Sequence, residues 1–214
     1  MNLNQVTYGN PTKENKIFIE QKGFMDDLFM QFNEDSFPLN NSELVKDELN
    51  EIVDYINSIS DEENKSFLNR YKSYDRSLSQ TISTTFKQKG VDVENLCQDI
   101  IEDTKNLIFK LKYFYQRPRP FQLAQYYKLK LFPYNSFSSS TPSYPSGHTL
   151  QAYVILNVIA DKHPNLYQFC REMIDDIAYS RLYLGLHFQS DNDFAIQVAK
   201  EILKHPYFTK KYGI

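Results

Sequence analysis

The chain has 214 residues, 41% of them hydrophobic, with 24 Lys and Arg against 27 Asp and Glu and a formal net charge of −3. That length suits one domain with a substantial core, and the acidic balance excludes a global attraction to nucleic acid or to anionic membranes, so any anion site must be built locally. Two cysteines, Cys97 and Cys170, lack metal or redox spacing and exclude a disulfide scaffold, while 16 Tyr and 16 Phe without a Trp point to aromatic packing.

Residues 1–16 are polar and expected to be irregular. They have neither a basic region followed by an apolar block nor a small-residue cleavage site, so the chain as written reads as cytoplasmic. Phe18 to Phe32 carries enough apolar residues for a short helix. From Ser42, a possible cap, the residues Leu44, Leu49, Ile52, Val53 and Ile56 recur at helical spacing. A second helix is predicted over Glu62 to Lys87, ending near Gly90, and a third from about Val93 to Gln116. The third must stop at RPRP, because Pro118 disfavours helical geometry at Arg117 and has no amide donor of its own. Further helices are predicted near Phe121 to Lys130, His148 to Asp161, Leu166 to Gly185 and Asp191 to Lys204. The serine-rich Asn135 to Ser143 reads as a loop. The strongly apolar run Ala152 to Ala160 is far short of the roughly 18 to 20 residues that span a bilayer. The expected architecture is therefore all-α, one domain over residues 1–214, with no transmembrane segment and no nucleic-acid partner.

Three stretches carry candidate chemistry. In KYFYQRPRPF, Lys112, Arg117 and Arg119 gather cations around a rigid proline-flanked break, which suits phosphate oxygens, although cations near a helix end also simply complement its dipole. In SYPSGHT, Ser146 and Gly147 stand at the entrance of an apolar helix beginning near His148. Free first-turn amides, a glycine permitting close approach and a hydroxyl donor together attract an anion; a serine cap beside a surface histidine is the plain alternative. In SRLYLGLHFQSD, a break at Gly185 is needed to bring Arg181 and His187 together. Asp191, four residues on, can then hold one ring nitrogen of His187 and leave the other as a nucleophile. The histidines show no metal-ligand cluster with nearby acids, and His163 and His205, each before a proline, need only structural or solvated roles.

The order and spacing of the three stretches resemble the signature of the type 2 phosphatidic acid phosphatase (PAP2) superfamily. Lys112 is followed after six residues by Arg119-Pro120, then come Pro145-Ser146-Gly147-His148, and Ser180-Arg181 is followed by His187 and Asp191. The likeness covers about 112–195. It implies a helical bundle of the kind shared by bacterial class A acid phosphatases and vanadium haloperoxidases, and metal-independent phosphomonoester hydrolysis through a phosphohistidine. On matching positions, His187 would be the nucleophile, Asp191 its orienting acid and His148 the general acid and base. Lys112, Arg119, Ser146, Gly147 and Arg181 would hold the phosphate oxygens. Arg117 is left as a candidate substrate contact or support. No cofactor is implied, although vanadate or phosphate can occupy such a site, and a small phosphorylated molecule is the expected substrate. The competing readings are a vanadium-dependent haloperoxidase, a phosphate-binding module without catalysis, and a lipid phosphate or pyrophosphate phosphatase at a membrane surface. The last would use an aromatic face built from Tyr126, Tyr127, Leu129, Leu131, Phe132 and Tyr134, residues that core packing or a pocket wall would also employ.

Overall fold

The computed structural model describes residues 2–33, 37–59 and 65–214, and among them every regular element is helical. The major helices are α1 (Lys13–Glu20), α2 (Asp26–Phe32), α3 (Glu43–Ile59), α4 (Lys65–Arg76), α5 (Leu78–Lys87) and α6 (Glu94–Tyr115) in the first part of the chain. They are followed by α7 (Pro120–Ala124), α8 (Gly147–Lys162), α9 (Tyr167–Tyr183), α10 (Gln189–Lys204) and α11 (Pro206–Tyr212).

Helix α8 is the axis of the bundle. Leu150, Ala152, Val154, Ile155, Leu156, Val158 and Ile159 are all fully buried, so it is apolar on every side, as a helix surrounded by protein must be. It packs against α6, α9 and α10, and this core continues through Ile82, Phe86, Cys97, Ile100, Leu111, Phe194 and Phe208. A second apolar cluster joins Val45, Leu49 and Ile52 of α3 to Leu123, Ala124, Leu131 and Phe188. Both cysteines are buried and free, and burial pushes the Cys97 thiol up to about 12 and that of Cys170 to about 11. Among the described residues no helix is long and apolar enough to cross a membrane.

Several boundaries differ from expectation. The stretch 2–16 is irregular only in part: Leu3–Gln5 form a 3-10 turn, 6–12 have no regular structure, and α1 begins at Lys13, capped by Thr12, whose Oγ1 accepts from the Asn15 amide. Tertiary bonds fix it, since the Tyr8 amide donates to Gln116 O and the Tyr8 hydroxyl to Ser139 O. The apolar stretch from Phe18 to Phe32 is divided, because α1 ends at Glu20 and α2 starts only at Asp26. The helix expected over Glu62 to Lys87 is divided too. Ser77 takes an extended conformation and caps α5 through its Oγ and the Gln80 amide, while Glu62, Glu63 and Asn64 lie outside the described residues. The helix expected at Phe121 to Lys130 is a short α7 and a 3-10 turn, Gln125–Tyr127, closed by Lys128, whose φ is 58°. Ser42 does cap α3, accepting from the Val45 amide at 3.2 Å.

Candidate active site

The three candidate stretches meet at the N-terminal end of α8. Helix α6 stops where Gln116 enters the left-handed region, φ 49°, and Pro120 starts α7, so Arg117 and Arg119 lie on the two-proline link between helices. That link is clamped to the loop before α8. Ser143 donates from its amide to Arg117 O and from its hydroxyl to Pro118 O, both at 3.0 Å. From α6, Lys112 Nζ donates to Pro142 O and Ser143 O.

The bend after α9 sets the second half of the site. Gly185, at φ 70°, turns the chain so that the amides of Leu186 and His187 both donate to Arg181 O, at 3.0 and 3.3 Å. The expected break at Gly185 thus ties the nucleophile candidate directly to the backbone of Arg181. Helix α10 then begins under Asp191, whose Oδ2 accepts from the Phe188 amide at 2.9 Å and from His187 Nδ1 at 3.1 Å. A single carboxylate oxygen both caps the helix and orients the imidazole.

The tautomer of His187 follows from its partners. Arg119 Nη1 lies 2.8 Å from His187 Nε2, and a guanidinium can only donate, so Nε2 carries the lone pair and Nδ1 the proton. His187 is only 2% exposed. Burial and then the Arg119 guanidinium hold its proton affinity well below that of an ordinary histidine, against the pull of Asp191. Burial opposes ionisation of Asp191, but the Arg117 guanidinium and its bonds from His187 and Phe188 hold the carboxyl well below the usual range. A neutral imidazole with a lone pair directed away from its carboxylate is a nucleophile in waiting.

The cations around it are desolvated. Arg119 and Arg181 are fully buried, and Lys112 is nearly so. Burial and neighbouring positive charge lower Lys112 well below its usual range and bring Arg119 to about 10. Arg119 is braced by Thr141 O, Leu186 O and Ser138 O at 2.7 to 2.9 Å. Arg181 Nη2 donates to Asp75 Oδ1 and Ser138 Oγ at 2.8 and 2.9 Å, whereas its Nε and Nη1 are buried without a partner. Orphaned guanidinium donors inside a protein are costly, and an oxyanion would satisfy them.

Ser146 and Gly147 stand where expected. The Ser146 side chain does not cap α8; its Oγ lies 2.9 Å from Thr149 Oγ1, and Thr149 in turn donates to Asn192 Oδ1 at 2.7 Å. With the Thr149 proton used on Asn192, Ser146 is the donor of the pair and can turn that proton toward an anion. A Cβ on Gly147 would meet Ile108 Cγ2 at 3.6 Å and Lys112 Cε at 3.9 Å, ordinary contacts, so the fold itself has room for a side chain there. His148, partly exposed at the mouth of the cluster, is held well below ordinary histidine by burial, Arg181, Lys112 and Arg119, with Asp75 opposing them.

All eight residues of the signature are thereby brought into one constellation. His163 and His205 stay outside it, at the C-terminal ends of α8 and α10, and His205 Nε2 pairs with Asp27 instead. Among the described residues no cluster of three or more His, Cys, Asp or Glu side chains is placed to hold a metal ion. The supporting acids were not legible. Asp75 on α4 pairs with Arg181, and Glu48 on α3 pairs with Arg117, from positions with no local pattern that separates them from solvated helix acids. Arg117 is resolved as a support: its Nη1 donates to Asp191 Oδ1 at 2.6 Å and to Ser190 Oγ at 2.8 Å, and its guanidinium lies over the Phe188 ring at 4.2 Å.

The sequence profile of the PAP2 superfamily matches residues 104–199, the segment that holds all eight signature residues. The chain carries a PAP2 superfamily domain. This PAP2 domain is similar in fold to a crystal structure described as the first transmembrane PAP2 type phosphatidylglycerolphosphate phosphatase from Bacillus subtilis. The likeness has a TM-score of 0.53 at 18% identity, over 94% of this chain and 98% of the other. At that identity it establishes the all-α PAP2 fold. Comparison with curated proteins yields no significant match. The match to the PAP2 superfamily supports phosphatase chemistry in general and a small phosphorylated substrate.

Proposed function

We propose that the protein is a metal-independent phosphatase that hydrolyses phosphomonoesters through a phosphohistidine. The observation that carries this reading is the environment of His187. Its Nδ1–H is fixed on Asp191, its Nε2 lone pair faces Arg119, and Arg181 beside it has two buried donors without partners.

In this reading the phosphoryl group enters between Arg119, Arg181, Lys112 and the first-turn amides of α8, with Ser146 adding its hydroxyl. Arg119 Nη1 transfers its hydrogen bond from His187 Nε2 to a phosphoryl oxygen, which frees the lone pair. Nε2 attacks phosphorus, the bond to the ester oxygen breaks, and His148 gives that oxygen its proton. Water then attacks the phosphohistidine, His148 takes the water's proton, and His187 leaves as neutral imidazole. The positive charge that develops on His187 falls on Asp191. Three desolvated cations meet the charge demand of phosphoryl transfer, which asks mainly for positioning and preorganised donors. The same donors would hold vanadate, so vanadate is expected to act as a competitive inhibitor.

The test is phosphate release from p-nitrophenyl phosphate with a chelator present, comparing wild type with His187→Ala. Turnover that survives chelation and disappears in the variant, together with trapping of an acid-labile phosphoenzyme, is the expected result. Turnover unchanged in His187→Ala would overturn the mechanism. Halide oxidation after vanadate loading, without phosphatase turnover, would replace it with the haloperoxidase reading. A soluble monoester assayed beside phosphatidylglycerolphosphate in detergent separates the monoesterase from a lipid phosphatase. The aromatic face considered for a lipid is only partly formed: Phe132 is 79% exposed, but Leu131 is buried and the Tyr127 hydroxyl is bonded to Asn40 O.

A further inference from the structure

Arg117 creates an electrostatic problem for the nucleophile. His187 must gain positive charge as its Nε2 bonds to phosphorus, and the carboxylate meant to balance that charge is Asp191. Yet Asp191 Oδ1 already accepts from Arg117 Nη1 at 2.6 Å, with both side chains completely buried. An acid whose charge is neutralised by its own ion-pair partner has little left for an imidazolium.

Glu48 answers this from the opposite side of the guanidinium. It lies on α3, outside residues 104–199, and is 5% exposed. Its Oε2 accepts from Arg117 Nη2 at 3.4 Å and from Ser190 Oγ at 3.0 Å, and its Oε1 accepts from the Ser190 amide at 2.6 Å. Every bonded neighbour is a donor, which is the environment of an ionised carboxylate. Glu48, Arg117 and Asp191 then form a buried row of alternating charge that ends on His187 Nδ1. With Glu48 the row carries a net negative charge; without it the row is neutral.

Resting on the phosphohistidine reading of His187, we propose that Glu48 is a positioning residue that offsets Arg117 and so restores the negative charge Asp191 presents to the nucleophile. Arg117 gains a fixed geometry from its two acids and from Phe188, while Glu48 keeps that rigidity from costing His187 its counter-charge. The other charged groups facing His187 are Asp191 from α10, Arg119 from the link between α6 and α7, and Lys112 from α6. Of these the two cations act against protonation, which makes the contribution of Glu48 matter more. Burial raises the Glu48 carboxyl above its usual range, so the row loses this charge on acidification before Asp191 is protonated.

Glu48→Gln separates charge from structure, because the amide oxygen still accepts from the Ser190 amide and the volume is kept. The measurement is the protonation midpoint of the His187 imidazole, followed by NMR in the full chain, beside kcat and KM for p-nitrophenyl phosphate. In Glu48→Gln the midpoint is expected to fall on the order of one pH unit and kcat about tenfold, with KM little changed. Arg117→Gln is expected to move the midpoint up, and the double variant should lie above Glu48→Gln alone. A midpoint unmoved or raised in Glu48→Gln would mean that Glu48 only caps α10, and the proposal fails. Should Glu48→Gln not fold, Arg117→Gln decides by the sign of its shift, since no upward shift means no coupling through the row. Because the imidazole titration does not depend on turnover, an inactive wild type would refute the phosphatase reading and leave this test intact.

Discussion

Arg119 Nη1 lies 2.8 Å from His187 Nε2, so the cation proposed to hold phosphate and the nitrogen proposed to attack it are hydrogen-bonded to each other. Arg119→Ala should therefore act in two directions at once. Losing a desolvated donor to the phosphoryl group is expected to lower kcat/KM about a hundredfold. Losing the nearby positive charge should raise the His187 midpoint. Steady-state kinetics and an NMR titration of the same variant check both, and a midpoint that falls would contradict the contact.

Asp191→Asn removes the carboxylate that accepts from His187 Nδ1 and leaves Arg117 with the more distant Glu48. Turnover is expected to fall on the order of a thousandfold, as when a catalytic histidine loses its orienting acid. Stability should fall by about 3 kcal/mol, because breaking a buried pair strands its partner. Urea denaturation and single-turnover kinetics on one preparation measure the two effects separately.

The pH dependence of stability has a definite sign. His187 is neutral in the folded protein, with its affinity for a proton held well below the unfolded value of about 6.5. The stability this group allows is present above that value and is lost as pH falls through it, by about 1.4 kcal/mol per pH unit until the folded midpoint is reached. His148 adds a change of the same sign. Thermal melting between pH 7.5 and 5.5 should show a decline that is shallower in His187→Ala. A melting temperature that rises on acidification would count against a buried neutral imidazole.

The pH profile of turnover should be bell-shaped, since His187 must be neutral while His148 carries a proton. In the free protein burial, and after it Arg181, Lys112 and Arg119, press the His148 proton off against the pull of Asp75. A bound phosphate dianion offsets those cations, so the alkaline limb of kcat is expected at higher pH than that of kcat/KM. Coincident limbs would assign the ionisation to another group.

Two glycines of the site separate fold from function. A Cβ on Gly185 would lie 2.7 Å from Ile56 Cδ1 and 3.2 Å from Pro133 Cα, at a φ of 70°. Gly185→Ala is expected to cost about 2 kcal/mol or more, lowering the melting temperature and disturbing the bend that carries His187. Gly147→Ala meets only ordinary contacts, so its melting temperature should stay near wild type while its affinity for inorganic phosphate falls.

Most of the helices, and the signature residues that the fold gathers at the N-terminal end of α8, were legible in the amino-acid sequence. Periodicity and punctuation act locally: Pro118 and Pro120 must interrupt α6, a run such as Leu150 to Ala160 must be enclosed, and Gly185 must turn the chain. The signature residues are legible for the same reason, because each group of them is set by the geometry of one helix end. What the sequence could not determine is the support behind them. Residues 2–16 are held in place by bonds such as that from Tyr8 to Gln116, more than a hundred positions away. Asp75 and Glu48 look like any helix acid until α4 and α3 are packed against Arg181 and Arg117. A charge acts through space and through the dielectric around it, and both are properties of the packed molecule alone. The sequence by itself determined which groups are candidates for chemistry here, and the tertiary structure decided how strongly each holds its proton.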